Sequence, residues 1–421
     1  MDHVKRRMAK GALATVAALL MTGSAMAEQR VLTYNADYDA IPLAAMEALI
    51  ADFEAANPDI DVQLTNFDHE AYKNAIRNFL TADPPDLANW YAANRMRPFV
   101  EAGLFADISD VWAENGLMES LASSVPSSTI DGKQYAIPYT YYQWGIYYNR
   151  DAYKAAGVEP PAADATVDWA TFLANCEKFK AAGIDCVTTG SVAKWPVAGI
   201  FDYLSLRTNG YQFHADLAAG KVSWTSPETR AVFAEFAKLQ PFVTENHAAI
   251  DWQDAAAIFS QGKAAHYVMG NFAVGVFKQG GMTNDSLGFM VFPEITPGIA
   301  RAEEAPTDTV HLTSGAKNPE DAKKFLAYMA SAEAQSKWNA AVGQLPTNKN
   351  ATVDAADPFL SEGFAALSTA TGGIAQFWDR DADAEYASIG MDGFQQFLVQ
   401  PEQLEAILER LEQARLRLFP Q

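Results

Sequence analysis

The chain has 421 residues, 49% hydrophobic and 20% charged, a balance that supports two or three full-sized cores and excludes intrinsic disorder. Its net charge of −21 excludes a general nucleic-acid or anionic-membrane footprint, since both need a basic surface. A local site can still differ from the global sign.

The N-terminus reads as an address. Lys5, Arg6, Arg7 and Lys10 precede the short apolar stretch Gly11–Met21, and Ala25-Met26-Ala27 offers a small-residue cleavage site. The stretch is too short to span a bilayer, and no later run is long and apolar enough. Residues 1–27 are expected to be a signal peptide, with a mature periplasmic chain from about Glu28. No cysteine follows the cleavage site, which argues against a lipoprotein. Removing four bases and one acid takes the net charge from −21 to −24.

Arg30–Tyr34 predicts a first strand. A helix follows from Pro42, with apolar residues at three- and four-residue spacing, and stops at Asn57-Pro58. Asp59–Thr65 alternates as a second strand, Asp68–Leu80 reads as a second helix, and Asp86–Trp90 as a third strand. This strand–helix alternation predicts a mostly parallel α/β sheet covered on both faces. In such sheets ligands sit beyond the carboxyl ends of strands, so the loops at Asn35–Asp39 and Trp90–Arg95 are candidates.

Asp131–Asp151 (DGKQYAIPYTYYQWGIYYNRD) then brings seven aromatics into one extended stretch. Helices are predicted around Trp169–Ala182, Trp195–Arg207, Pro227–Leu239 and Asp251–Gln261. Ala264–Met269 predicts a buried strand, followed by a helix with Asn271 as its cap. Leu287–Phe292 predicts another strand, and Glu320–Ala330, Ala332–Ala341 and Pro401–Phe419 further helices. Cys176 and Cys186 fall at a helix end and a strand start. An oxidising compartment permits a disulfide between them; two buried thiols are the alternative.

Phosphate-loop, dinucleotide, nucleophile-elbow and zinc signatures are all absent, and nothing marks out a carboxylate pair among 52 acids. No cofactor is expected. Aromatics beside polar groups recur instead: Trp90-Tyr91, Tyr142-Gln143-Trp144, Trp195, Trp252-Gln253-Asp254, Asn271-Phe272 and Trp378-Asp379-Arg380. Ring faces stack on the C–H faces of a sugar, and planar polar groups bond its hydroxyls. Core packing is the alternative for each ring.

Four ordered segments, PPDLANWYAANRMRPFVEAGLFADISDVW, DGKQYAIPYTYYQWGIYYNRDAYKAAGV, FSQGKAAHYVMGNFAVGVF and KNPEDAKKFLAYMASAEAQSKWNAAVGQLPTNK, resemble the family 1 extracellular solute-binding proteins of ABC importers. Two departures are TVDWATF at Thr166–Phe172 and Asn271-Phe272, where G-x-W is common.

The resemblance implies a two-lobed α/β fold with a ligand held between the lobes. Lobe one would hold about 28–140 and 294–328, and lobe two about 141–293 and 329–421. Crossings would fall near Tyr141–Trp144, Phe292-Pro293 and Ala327–Ser331.

Carried onto this sequence, the resemblance gives Tyr38, Asp39, Trp90, Asn94, Tyr142, Trp144, Asn271 and Phe272 as ligand-binding residues. Trp195, Trp378, Asp379 and Arg380 come from the residues themselves. The expected function is capture of a mono- or disaccharide by a monomer that delivers it to a membrane permease. Arg380 leaves room for an anionic sugar unless Asp381 or Asp383 neutralises it. An exported carbohydrate-active enzyme, or a binder of a glycerol phosphodiester or polyamine, are the alternatives.

Overall fold

A computed structural model describes residues 29–162 and 165–420. The expected signal peptide therefore lies outside the described residues. Among them, no helix is long and apolar enough to cross a membrane.

Two sheets organise the chain. The first has five strands in the order Ile60–Asn66, Arg30–Ala36, Leu87–Tyr91, Thr307–Leu312 and Ile137–Tyr141. Its first three strands run parallel, and Thr307–Leu312 lies antiparallel to both neighbours. The second has four strands in the order Leu287–Met290, Trp144–Asn149, Ala264–Gly270 and Asp185–Thr188. Leu87–Tyr91 is buried throughout because apolar layers cover both its faces: Leu87 joins one cluster, while Ala88, Trp90 and Tyr91 join another. Side-chain caps fix several helix starts. Asp68 accepts from the Ala71 N–H at 2.9 Å and Asp168 from the Thr171 N–H at 2.9 Å.

Each sheet has its own large core. Leu32, Tyr34, Leu49, Phe53, Trp112 and Phe325 lie in the first, and Tyr147, Phe201, Trp224, Phe233, Trp378 and Phe394 in the second. The chain leaves the first sheet after Tyr141 and enters the second at Trp144. The first crossing is expected near Tyr141–Trp144.

The other two crossings differ from expectation. Residues after Pro293 still pack on the second half, since Arg207 reaches the carbonyls of Phe292 and Ala302. The chain returns only at Ala305-Pro306. The helix Ala332–Val342, read from sequence into lobe two, belongs to the first core. Trp338 packs there on Tyr38 (5.4 Å) and Tyr139 (5.2 Å). The reason is local: Thr347 and Asn348 bond to Gln335, and Leu345 bridges to Tyr141, which ties the segment after the helix to the first sheet. Phe359, in Pro358–Ser368, is the next residue in the second core.

Cys176 and Cys186 form a disulfide between the helix Trp169–Ala181 and the strand Asp185–Thr188.

Candidate functional site

Element ends place two facing sets of side chains. From the first half come Asp37, just past Arg30–Ala36; Tyr91, the last residue of Leu87–Tyr91; and His69, which opens the helix His69–Ala82. These are the carboxyl ends of parallel strands, where α/β sheets present their ligand-binding loops. Asp308 joins them from Thr307–Leu312. The pairing register slips between Asp308 and Thr309, and such a bulge re-aims a side chain at a sheet edge.

From the second half come Tyr142 at the crossing, Trp195 opening Trp195–Thr208, Trp252 opening Trp252–Ser260, and Phe272 just beyond Ala264–Gly270. These four rings are half-buried and mutually close. Phe272 lies 5.8 Å from Tyr142, 6.1 Å from Trp195 and 5.6 Å from Trp252. Gly270 makes room for the cluster, since a Cβ there would stand 2.4 Å from the Phe272 ring.

The polar side is a set of charge pairs. Asp308 accepts from the Tyr142 hydroxyl and pairs with Arg380. The Arg380 guanidinium is sandwiched between Tyr91 and Tyr142, 4.8 Å from each ring centroid. Lys73 pairs with Asp379 at 2.6 Å, and His69 Nδ1 with Asp37 Oδ2 at 2.8 Å. Burial acts to lower the His69 pKa, but Asp37 outweighs it and holds the imidazole above its usual value. Burial acts to raise the Asp379 carboxyl, and the charges of Lys73 and Arg95 hold it below its usual range instead. Burial opposes the charge of Arg380, but Asp308 outweighs it, so the guanidinium stays firmly ionised.

The residues expected from sequence separate into three groups. Tyr142, Trp195, Phe272, Asp379 and Arg380 lie in or beside this constellation. Asn94 lies at its margin, donating its N–H to Asp381. Asp39 is exposed at the start of a helix and makes no side-chain cap bond.

The rest are core or framework residues. Trp378 is 0% exposed and Trp144 3%. Trp144 stacks on Phe377 at 4.8 Å, beneath the ring cluster. Trp90 lies in the first half's smaller apolar cluster, its indole N–H donating to the Arg95 carbonyl. The Tyr38 hydroxyl sits in a buried network with Tyr34, Asn89 and Tyr139. Asn271 does not cap a long helix. It begins the 3₁₀ turn Asn271–Ala273, and its N–H already donates to the Gln143 carbonyl. Arg380 pairs with Asp308 rather than Asp381 or Asp383.

Sequence reasoning missed Asp37, His69, Lys73 and Asp308 as cleft groups, and noted Tyr91 only beside Trp90 without carrying it into the site. Trp252 was noted as an aromatic beside polar groups but not carried into the site. The rule that ligands gather at strand carboxyl ends pointed to the loops holding Asp37 and Tyr91. Nothing local marks Asp308.

Comparison with known proteins decides the family. Residues 39–336 match the bacterial extracellular solute-binding protein family. The chain belongs to that family. Among relatives, it is 27% identical to an uncharacterized ABC transporter extracellular-binding protein of Pyrococcus horikoshii, over 77% of this chain and 73% of that protein. It is 24% identical to a multiple sugar-binding protein of Streptococcus mutans, covering 70% of each. Among solved structures, the solute receptor AcbH, described as having an exclusive preference for β-D-galactopyranose, superposes with a TM-score of 0.84 at 28% identity. The match covers 92% of this chain and 99% of that one. The fold is thus the two-lobed one of solute-binding proteins.

Proposed function

We propose that this solute-binding protein captures a neutral mono- or disaccharide between its two halves and delivers it to the membrane permease of an ABC importer. The observation that carries this is the half-buried cluster of Tyr142, Trp195, Trp252 and Phe272 set opposite charge-paired polar groups. Rings of this kind stack on a sugar face. Asp37, His69, Asp308 and Arg380 keep lone pairs and N–H groups for its hydroxyls, and their charged partners hold them in place. AcbH and the streptococcal relative, named for galactose and multiple sugars, support the same class.

Charge balance favours a neutral ligand. Arg380 is matched by Asp308, Lys73 by Asp379 and His69 by Asp37, so a phosphodiester, uronate or polyamine would meet a like charge or displace an existing pair. The proposed halves are about 29–141 with 306–349, and about 142–305 with 350–420. Closure of one on the other buries the sugar, and the ligand favours closure by its differential affinity for that state. Relatives are solute-binding proteins, and the chain is proposed to release its ligand unchanged.

A thermal-shift screen against neutral sugars, D-galactose among them, acidic sugars and polyamines tests the reading. A ligand that binds only the native state raises the melting temperature. The expected result is a shift with one or more neutral sugars and unaltered sugar recovered afterwards. A shift confined to charged solutes, or glycoside cleavage, would overturn it.

A further inference from the structure

The one-turn helix Trp378–Asp381 spans the two halves. On one side Trp378 is sunk in the second core, and its N–H donates to Asp202 Oδ2 at 2.8 Å. On the other, Asp379 meets Lys73, Arg380 meets Asp308, Asp381 accepts from the Asn94 N–H at 3.3 Å, and the Ala382 carbonyl accepts from Arg95 at 3.2 Å. What sets this turn therefore sets Arg380 against the cleft.

Two acids lie beneath it without cationic partners of their own. Asp202, on Trp195–Thr208, is 0% exposed; its Oδ1 has no hydrogen bond, and His214 Nε2 stands 4.0 Å away. Burial pushes the His214 imidazole down to about 4, so it supplies no charge. Glu304, also 0% exposed, has no hydrogen bond on either carboxyl oxygen. Its neighbour Glu303 takes Arg207 at 2.7 Å and Arg301 at 2.8 Å. Arg380 attracts Glu304 but is already engaged by Asp308. Glu304 also immediately precedes Ala305-Pro306, where the chain passes between halves.

We propose that Asp202 and Glu304 are positioning residues that carry protons when the halves are together, and that losing those protons loosens the Trp378–Ala382 turn and withdraws Arg380 from the cleft. An isolated carboxylate in an apolar interior costs far more than a neutral carboxyl. Burial is the leading cause holding both acids well above the ordinary carboxylate range. At Asp202 the donated Trp378 N–H favours the carboxylate and opposes burial, whereas Asp381 and Asp379 act with burial; Asp202 and Glu303 act with burial on Glu304, and Arg380 against it. Tyr203, which also faces Glu304, is itself kept neutral by burial. Because the native values are raised, the hold is complete at low pH and is lost as pH rises through them.

The test needs no ligand, so its outcome is separable from the identity of the sugar. Amide hydrogen exchange of the 378–382 segment, corrected for intrinsic rates, would be followed in the mature chain from about pH 6 to about pH 9, where each unit of pKa difference is worth about tenfold in an equilibrium. Wild type is expected to lose at least about tenfold in protection across that range. Glu304→Gln and Asp202→Asn, which keep shape and acceptor but cannot ionise, are expected to flatten the profile. Asp202→Ala, which removes the acceptor, is expected to lower protection at every pH. An infrared band from protonated buried carboxyls at neutral pH should weaken in Glu304→Gln. A flat wild-type profile, or an unchanged slope in both neutral variants, would overturn the proposal.

Discussion

Asp308 is where two cleft groups converge, Tyr142 through its hydroxyl and Arg380 through its guanidinium. Asp308→Asn keeps an acceptor but removes the countercharge, leaving Arg380 between two rings with no anion of its own. Sugar selectivity is then expected to shift toward acidic sugars, read by calorimetric affinities for a neutral sugar and its uronic acid. The rings divide by burial. Trp252→Ala is expected to weaken sugar binding by about 2 kcal/mol or more, the usual scale for an anchoring Trp, with a small change in melting temperature. Trp144→Ala should instead cost about 3–5 kcal/mol of stability in urea unfolding, because it removes a core ring stacked on Phe377. The sequence displayed both tryptophans in similar surroundings, an aromatic beside a polar group. What separates them is tertiary packing that no local pattern encodes: Trp144 opens a strand of the second sheet, and Phe377 and the helix Trp195–Thr208, at Gly199, close over its ring. His69 adds a pH term. Its native pKa is raised, so its ion pair with Asp37 contributes stability fully below the ordinary imidazole value of about 6.5 and loses it as pH rises through the native one. Because His69 keeps 38% of its side chain exposed, the effect is small. Melting curves of wild type and His69→Gln should converge at alkaline pH.

At the scale of elements, a disulfide joins a helix to the strand that follows it, over a separation of 10 residues. Cys176→Ser with Cys186→Ser is expected to cost roughly 2–3 kcal/mol in the chain-entropy account, measured under oxidising conditions. The elements legible in sequence were those with apolar periodicity: the first three strands, the intervening helices and the C-terminal helix Leu404–Leu418. Two others left weaker traces. Thr307–Leu312 buries the polar residues Thr307, Thr309 and His311, which find hydrogen bonds: Thr309 donates to the Trp90 carbonyl at 2.7 Å, and His311 Nδ1 lies 2.8 Å from the Tyr135 carbonyl while its ring stacks on Phe105. With so many polar positions, its apolar pattern is too weak to mark a strand. Ala384–Val399 carries Gly390 and Gly393, ordinarily unfavourable inside a helix. Both are needed for closeness, since a Cβ at Gly390 would stand 2.8 Å from the Trp378 ring and one at Gly393 2.9 Å from Leu411.

At the scale of the molecule, the two-lobed architecture followed from the motifs, whereas the course of the chain between its halves depends on tertiary ties such as Thr347 to Gln335. The contacts that bridge the halves away from the crossings centre on Lys73–Asp379, Arg95–Ala382 and Arg380–Asp308. Lys73→Met is expected to leave each core intact and to shift the ligand-free molecule toward a more open form. Solution scattering would show this as a larger radius of gyration, and saturating sugar should reverse it. An unchanged radius would mean that the remaining bridges hold the halves together without it.

The strand Thr307–Leu312 lies between Leu87–Tyr91 and Ile137–Tyr141, both of which precede it by more than 160 residues. Until it arrives, the first sheet has a gap in its middle, and Ile137–Tyr141 has no partner strand there. A polypeptide threaded through a membrane N-terminus first could build the sheet's three parallel strands early but could not close it until residue 312 had emerged. Long-range closure of this kind is slow. The same interleaving that lets two halves share crossings thus delays assembly of the first sheet.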